Sequence, residues 1–216
     1  MGLVEHPMQL VAVLVLLSVL PLLIVMGTSF LKLAVVLALL RNALGSQQIP
    51  PGIAIYGLAL VLTVFIMAPV ALEVRENLHQ NPFNIESNHF LQFMESDVLA
   101  PYRVFLRKHT GQAVLKFFIA ISQKTWPERY RHSALNESML VLIPAFTISQ
   151  LTEAFEIGLL LYLPFIAIDL LISNILLAMG MMMVSPITIA LPFKLLLFVL
   201  INGWQTLLGQ LVLSYV

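Results

Sequence analysis

The sequence contains no cysteine and little charge. The absence of cysteine from all 216 residues excludes disulfides, thiol catalysis and thiolate metal sites. Charged residues make up 10% of the chain, against about 25% in an average soluble domain. The 11 basic residues balance the 11 acidic ones, so net charge does not point to nucleic acid or to an acidic partner.

Apolar side chains take the place of the missing charge. They form 60% of the sequence and give a mean hydropathy of +0.96, whereas about 45–50% apolar residues is usual for a soluble domain. This composition argues against a soluble globular monomer and against a disordered chain. The classes of protein that remain possible are an integral membrane protein and a subunit that buries apolar faces in a large assembly.

The few charges divide the chain into three parts. Residues 73–137 hold 8 Lys/Arg, 7 Asp/Glu and four of the five histidines. The remaining 151 residues hold only seven charges. We therefore predict an apolar N-terminal region over residues 1–72, a polar insert over 73–137 and an apolar C-terminal region over 138–216.

The apolar runs predict membrane-spanning helices, since about 20 helical residues cross a hydrocarbon core. Residues 8–40 exceed one span and could kink at Pro21 or at residues 27–29. We interpret this block as a retained helix and not a signal peptide, because no Lys or Arg precedes it. Residues 53–72 form a second span, and residues 157–216 fit two spans that fold back at residues 180–186. The sequence thus predicts an all-α integral membrane protein of apolar helical hairpins with four candidate spans.

The polar insert has helical periodicity. Apolar residues recur three and four positions apart in two stripes, which are separated by Thr110-Gly111. This pattern predicts a polar helical hairpin. The stripes comprise Phe90, Phe93, Met94, Val98, Tyr102, Phe105 and Leu106, and then Ala113, Val114, Phe117, Phe118 and Ile121.

The side of the membrane on which the insert lies follows from the flanking charges. Lys32 and Arg41 favour a cytoplasmic loop between the first two spans, which places the insert on the periplasmic side. The eight basic residues of the insert oppose this assignment. However, the positive-inside rule loses its force for loops longer than about 60 residues. We therefore expect a periplasmic insert.

Asp169 and Lys194 are the only charges in the last 60 residues. They lie at equal distances on either side of residues 180–183, so a helical hairpin that turns there brings them level. An isolated charge in the bilayer costs about 2.5–3.5 kcal/mol, so the two should pair. The pair could be an ion or proton relay or line a pore. It could also be a bridge that fixes the register of the hairpin or of subunits, which we favour.

Methionine is concentrated at the same turn. Four of the ten methionines fall in the five residues 179–183, next to Ser185-Pro186. Because methionine is flexible and fills irregular gaps, such a turn could form a deformable apolar seal at a symmetry axis. Ordinary packing in an apolar turn is the alternative explanation.

The remaining polar residues give no sign of chemistry. Glu153 and Glu156 share a helix face and are interpreted as a solvated or subunit-facing patch. The histidines have no ligand spacing, and no phosphate-binding glycine loop or hydrolase motif occurs. We therefore predict no catalytic, cofactor-binding or metal site, and we do not expect an enzyme.

Several blocks of the sequence closely resemble the SctR/FliP family of type III secretion export-gate proteins. The match covers nearly the whole chain outside the polar insert, and Gln47-Gln48 looks more like the virulence-injectisome branch than the flagellar one. The blocks are Thr28-Ser29-Phe30-Leu31-Lys32, Leu39-Leu40-Arg41-Asn42-Ala43-Leu44-Gly45, Gln47-Gln48-Ile49-Pro50-Pro51, Pro144-Ala145-Phe146, Ala154-Phe155-Glu156-Ile157-Gly158, Tyr162-Leu163-Pro164-Phe165, Ile168-Asp169-Leu170, Met179-Gly180-Met181-Met182-Met183, Ser185-Pro186 and Leu191-Pro192-Phe193-Lys194.

The resemblance implies a homopentamer in the bacterial inner membrane. Members of the family join SctS/FliQ-like and SctT/FliR-like subunits in an export gate, through which unfolded secreted proteins pass. Their methionine-rich turn forms a gasket around the closed pore, which maps onto Met181, Met182 and Met183. Val184 departs from members that carry another methionine close by. The family's charged pair maps onto Asp169 and Lys194 as an inter-subunit bridge.

The resemblance also implies that the apolar helices pack largely against sister subunits, so a run of spanning length need not face lipid. Two other hypotheses remain open at this point. One is a small-solute or ion transporter in which Asp169 is the coupling site. The other is a structural scaffold that conducts nothing.

Overall fold

The computed structural model describes residues 14, 18, 21–22, 24–45, 50–80, 98–135, 138–181 and 183–216. The regular elements in these ranges are helical, which confirms the all-α prediction. The helices are α1 (Phe30–Ala43), α2 (Gly52–Gln80), α3 (Ala100–Lys108), α4 (Gln112–Thr125), α5 (Glu128–Leu135), α6 (Met139–Ala178), α7 (Pro186–Leu200) and α8 (Gly203–Leu213).

Part of the first predicted span, residues 8–40, lies outside the described residues, and α1 supplies its end. Helical residues 24–27 stop at Thr28, whose hydroxyl donates to the Ile24 carbonyl at 2.6 Å. The same hydroxyl oxygen accepts the Phe30 N–H at 3.3 Å and so caps the start of α1. The predicted break at residues 27–29 is therefore present.

Helix α2 contains the second predicted span, and it continues beyond the apolar run to Gln80. Glu73, Arg75 and Glu76 extend the helix past the predicted limit at residue 72, because charged residues with long side chains are good helix formers. The stretch Gly52–His79 is long and apolar enough to cross a membrane.

Helix α6 is the longest described element, with 40 residues, and it also has the length and composition of a membrane span. The apolar run from residue 157, which was predicted to supply the third span, is the later part of this helix, which begins at Met139. Glu153 and Glu156 interrupt the hydrophobic run without interrupting the helix. Beyond residue 200 the fourth predicted span is not one helix, since α7 and α8 are bent by 61°.

The two long helices are poorly buried by their own chain. Only 17% of the most apolar stretch of α2 and 11% of that of α6 is buried. Apolar surface of this extent must be covered by lipid or by other protein chains.

The contacts divide the chain into two compact units. Unit 1 comprises Met1–Leu31 and Pro69–Ile148, and unit 2 comprises Lys32–Ala68 and Ser149–Val216. This division follows packing, whereas the predicted division at residues 72 and 137 follows charge. The latter stays a prediction.

Unit 1 contains the helices of the polar insert. Helices α3 and α4 follow one another with a break at residues 109–111, as the two stripes predict. Phe105 of α3 packs against Phe146 of α6, with ring centroids 5.8 Å apart. The predicted packing face of α4 is wrong, however, because Phe117 and Ile121 are exposed and Leu115 is buried. The predicted stripe residues from Phe90 to Met94 lie outside the described residues.

Tyr102 fixes the start of α3 to the N-terminal segment of unit 1. Its hydroxyl donates to the Gly27 carbonyl at 2.8 Å. A side chain at Gly27 would overlap this hydroxyl, so the contact depends on glycine. Burial raises the pKa of Tyr102 to about 12, which keeps the phenol protonated as a donor at neutral pH.

Unit 2 is built around α1. Leu33, Val36, Leu37 and Leu40 of this helix are all fully or almost fully buried. The neighbouring α6 approaches closely at Gly158, where an added Cβ would collide with the side chain of Leu39. Small residues permit such close helix contacts.

We predict that Gly158→Ala lowers the stability of the protein by about 1–3 kcal/mol, the usual cost of overpacking. The matched control is Gly209→Ala in α8, where an added Cβ meets no atom within 4 Å. Alanine is the better helix former by up to about 1 kcal/mol, so the control should be neutral or stabilising. Thermal unfolding of the purified protein in detergent measures both. An equal upward shift in the two variants would contradict the close approach of α1 and α6.

Candidate functional site

The methionine turn, residues 179–185, begins with a glycine cap on α6. The Gly180 N–H donates to the Leu177 carbonyl at 3.0 Å, and the Met181 N–H donates to the Leu176 carbonyl at 2.9 Å. Gly180 has a φ of +71°, and this left-handed conformation with these two hydrogen bonds is a Schellman motif. Glycine is required here for its backbone conformation, because the space around its Cα is open. The cap fixes where the chain leaves α6.

The described methionines of the turn point away from the chain's own core. Met183 is fully exposed, and Met179 and Met181 are also exposed. Met182 lies outside the described residues. Exposed apolar side chains at one tip of a hairpin form a surface that can be covered by another chain.

Apolar contacts below the turn hold its two helices together. Ile172 and Leu176 of α6 and Ala190 of α7 form a buried cluster. Ile168 and Val184 pack against this cluster. Val184, where the sequence departs from the methionine-rich pattern, therefore contributes to the hairpin core.

The structure brings Asp169 and Lys194 together within one chain. The Lys194 Nζ donates to Asp169 Oδ2 at 2.7 Å and to the Ala43 carbonyl at 3.0 Å. Lys194 is buried, with 4% of its side chain exposed, whereas Asp169 is half-buried, with 36% exposed. One ammonium thus contacts α6 and the last residue of α1 from its position on α7.

The contact with Ala43 has a simple electrostatic reason. The last carbonyls of a helix have no intrahelical donor, and their partial negative charge favours a cation. Leu44 and Gly45 donate to the Leu40 and Asn42 carbonyls, which leaves the Ala43 carbonyl for Lys194. Gly45, at a φ of +80°, turns the chain away from α1.

A second ion pair in unit 2 was not predicted from the sequence. The Lys32 Nζ lies 2.8 Å from Glu153 Oε2 and donates to Ser214 Oγ at 2.9 Å. Lys32 is buried, with 2% of the residue exposed. The signal was present, because Lys32 is the only charge in residues 8–40 and a buried lone charge requires a partner.

Tyr215 completes this second cluster. Its ring lies under the Lys32 ammonium, 4.7 Å from Nζ to the ring centroid, which is a cation–π contact. Its hydroxyl donates to Gln150 Oε1. Glu153 is therefore an ion-pair partner of the buried Lys32 and is also partly solvated, with 43% of its side chain exposed, and Glu156 is exposed.

The described ranges contain no group of three or more His, Asp or Glu side chains placed to hold a metal ion. The ionic contacts described above are therefore the two lysine–carboxylate pairs, and both pairs join helices of unit 2.

Comparison with known proteins places the chain in a family. A model of the FliP family matches residues 13–211. The chain is 59% identical over the full length of both proteins to Virulence protein YscR of Salmonella typhimurium. It is 54% identical to Yop proteins translocation protein R of Yersinia pestis, over 96% of this chain and 95% of that protein. It is 45% identical to Harpin secretion protein HrpW of Pseudomonas syringae pv. syringae, over 92% and 96% of the two chains. The chain therefore belongs to the FliP family, which confirms the predicted SctR/FliP membership.

Proposed function

We propose that the chain is a pore-forming core subunit of a type III secretion export gate in the bacterial inner membrane, where it carries out no catalysis. Its relatives are named as virulence, translocation and secretion proteins. The observation that carries the proposal is the methionine turn, which is exposed at its tip and held from below by a buried ion pair. Unfolded secreted proteins would pass through the pore.

The turn has the properties that a gasket requires. Met181, Met182 and Met183 would project from each subunit toward a common axis, where flexible thioether side chains can close around a gap of irregular shape. The cap at Gly180 and the core at Ile172 hold the base of the turn in place. Because the base of the turn is held in place and its methionine side chains are flexible, the gasket can open for cargo and close again.

The charge pair would set the register of the hairpin and of neighbouring subunits. Within one chain Lys194 already has two acceptors. Asp169 Oδ1, by contrast, is buried and has no hydrogen-bond partner among the described residues. A buried atom offers no surface to another chain, so a contact of Asp169 with a sister subunit would involve the 36% of its side chain that is exposed, as the inter-subunit bridge implied by the family resemblance requires.

The proposed assembly is a homopentamer that joins SctS/FliQ-like and SctT/FliR-like subunits. It is supported by the exposure of α2 and α6, whose apolar side chains need a cover that this chain does not provide. Sister subunits and membrane lipid would share that surface. The polar insert would lie on the periplasmic side, because Lys32 and Arg41 favour the opposite side for the loop before α2.

We predict that replacing Met181, Met182 and Met183 together with alanine makes the membrane leak. The shorter side chains leave a gap at the axis, whereas the cap and core below them are unchanged. Conductance of the assembled complex in planar bilayers measures the effect, with Met67→Ala in α2 as the control that should remain sealed. Unchanged conductance in a fully assembled triple variant would contradict the gasket.

We predict that Asp169→Asn is more harmful than Lys194→Met. The first change leaves a buried ammonium without its anion, which costs about 3–5 kcal/mol. The second leaves a half-buried carboxylate that can be solvated. Assembly of the complex and secretion of its substrates are the measurements.

The exchange of Asp169→Lys with Lys194→Asp should restore part of the assembly that either single change removes. Full recovery is not expected, because residue 194 would then place a carboxylate beside the Ala43 carbonyl at the negative end of α1. A complete lack of rescue would argue against a direct bridge and would favour an ion transporter that uses Asp169.

A further inference from the structure

Helix α4 of the polar insert has a packed face and an exposed face on opposite sides. Leu115 and Ser122, which lie about two turns apart, are buried within unit 1. Inside the ends of the helix, the exposed residues recur three and four positions apart on the other side. We call these residues the outer face of α4: Ala113, Lys116, Phe117, Ala120, Ile121 and Lys124.

The outer face combines apolar side chains with positive charge. Phe117 is 58% exposed and Ile121 is 40% exposed, so the chain itself leaves a large part of both side chains uncovered. The two charged residues of the face are lysines, and the sequence of α4 contains no Asp or Glu. Apolar residues bordered by lysines are typical of a helix at a membrane surface, where the apolar groups enter the headgroup boundary.

The lysines favour lipid over another protein as the cover of this face. Lysine is depleted at protein–protein interfaces, because burying its ammonium requires an acceptor from the partner. At a membrane surface, the long stems of Lys116 and Lys124 can lie along the apolar boundary while their ammonium groups reach the phosphates. An anionic phospholipid surface therefore matches both the charge and the apolar groups of the outer face.

The end of α4 also lies next to the beginning of a helix of membrane-spanning length. Trp126 directly follows α4, and the Arg131 Nε holds the corner by donating to the Trp126 carbonyl at 3.1 Å. An open recess of about 360 Å³ is lined by Trp126, Pro127, Tyr130 and Leu140. Leu140 is the second residue of α6. Trp and Tyr are enriched where proteins cross the boundary between membrane and water.

We propose that the outer face of α4 docks on anionic phospholipid headgroups at the surface of the membrane. In this arrangement Phe117 and Ile121 lie at the boundary of headgroups and acyl chains, and Lys116 and Lys124 contact the lipid phosphates. The insert is then held against the membrane through a face that unit 1 does not use. The inference rests on the membrane location of the chain and does not depend on the proposed pore.

Spin labels on introduced cysteines test this docking, because the chain has no cysteine of its own. Phe117→Cys and Ile121→Cys place a label on the outer face. Glu128→Cys in α5 is the water-exposed reference, since 91% of that side chain is exposed. The full chain, with the subunits that accompany it, is placed in vesicles of phosphatidylglycerol and phosphatidylethanolamine. Collision rates are measured with oxygen, which concentrates in lipid, and with a neutral nickel complex, which stays in water.

Labels at positions 117 and 121 should collide more with oxygen than with the nickel complex, and the label at 128 should do the opposite. Lys116→Gln together with Lys124→Gln should raise the nickel collision rate at position 117 several-fold, because one lysine near an anionic surface contributes about fivefold to binding. Lys108→Gln in α3 is the matched control and should leave that rate unchanged. Vesicles of phosphatidylcholine alone should reproduce the effect of the double change.

Three results would overturn the docking. A label at position 117 that collides mainly with the nickel complex in the anionic vesicles would show that the outer face is solvated. Low collision rates with both reagents would show that protein covers it. Unchanged rates after the double lysine change would show that anionic headgroups do not hold it. A leak through the assembled complex would bear on the proposed function and not on this contact.

Discussion

The ammonium of Lys194 is the contact on which the rest of unit 2 depends. It lies between the Asp169 carboxylate and the Ala43 carbonyl, and so ties the consecutive helices α6 and α7 to α1, which is distant in sequence. A buried cation is stable only when its donors are used, so the three helices must keep this relation. The apolar contacts around it are numerous but non-directional, and they cannot fix a register alone.

The hairpin of α6 and α7 has a well-packed base and an exposed tip. The glycine cap at Gly180 and the cluster around Leu176 give the methionine turn a fixed base. Met181 and Met183, beyond this base, are exposed. Beyond the end of α8, the cluster around Lys32 repeats the same chemistry with the Glu153 carboxylate and the Ser214 hydroxyl. Unit 2 therefore contains two buried lysines, each of which joins helices through a partly exposed carboxylate.

Much of this arrangement could be predicted from the sequence, but not all of it. The pairing of Asp169 with Lys194 follows from their equal distances from the turn and from the scarcity of other charges. The pairing of Lys32 with Glu153 was missed because 121 residues separate them, and no local pattern aligns α1 with α6. The Ala43 carbonyl could not be predicted, because every residue has a backbone acceptor.

The polar insert shows a different limit of sequence analysis. Helix α4 carries apolar residues around most of its circumference, so its periodicity does not determine which face packs. Leu115 is buried while Phe117 and Ile121 are exposed, and only the neighbouring elements of unit 1 decide this. The bend at Asn202 was missed although Asn202-Gly203 is a dipeptide typical of turns, because the apolar run around it favours a continuous span.

The central claim is that this chain forms the pore of an export gate together with other copies of itself and with partner subunits. Native mass spectrometry of the complex, purified from its own membrane in mild detergent, tests this most directly. The account predicts a particle with five copies of the 24.1 kDa chain and additional smaller membrane subunits. A particle that contains a single copy of the chain would contradict it.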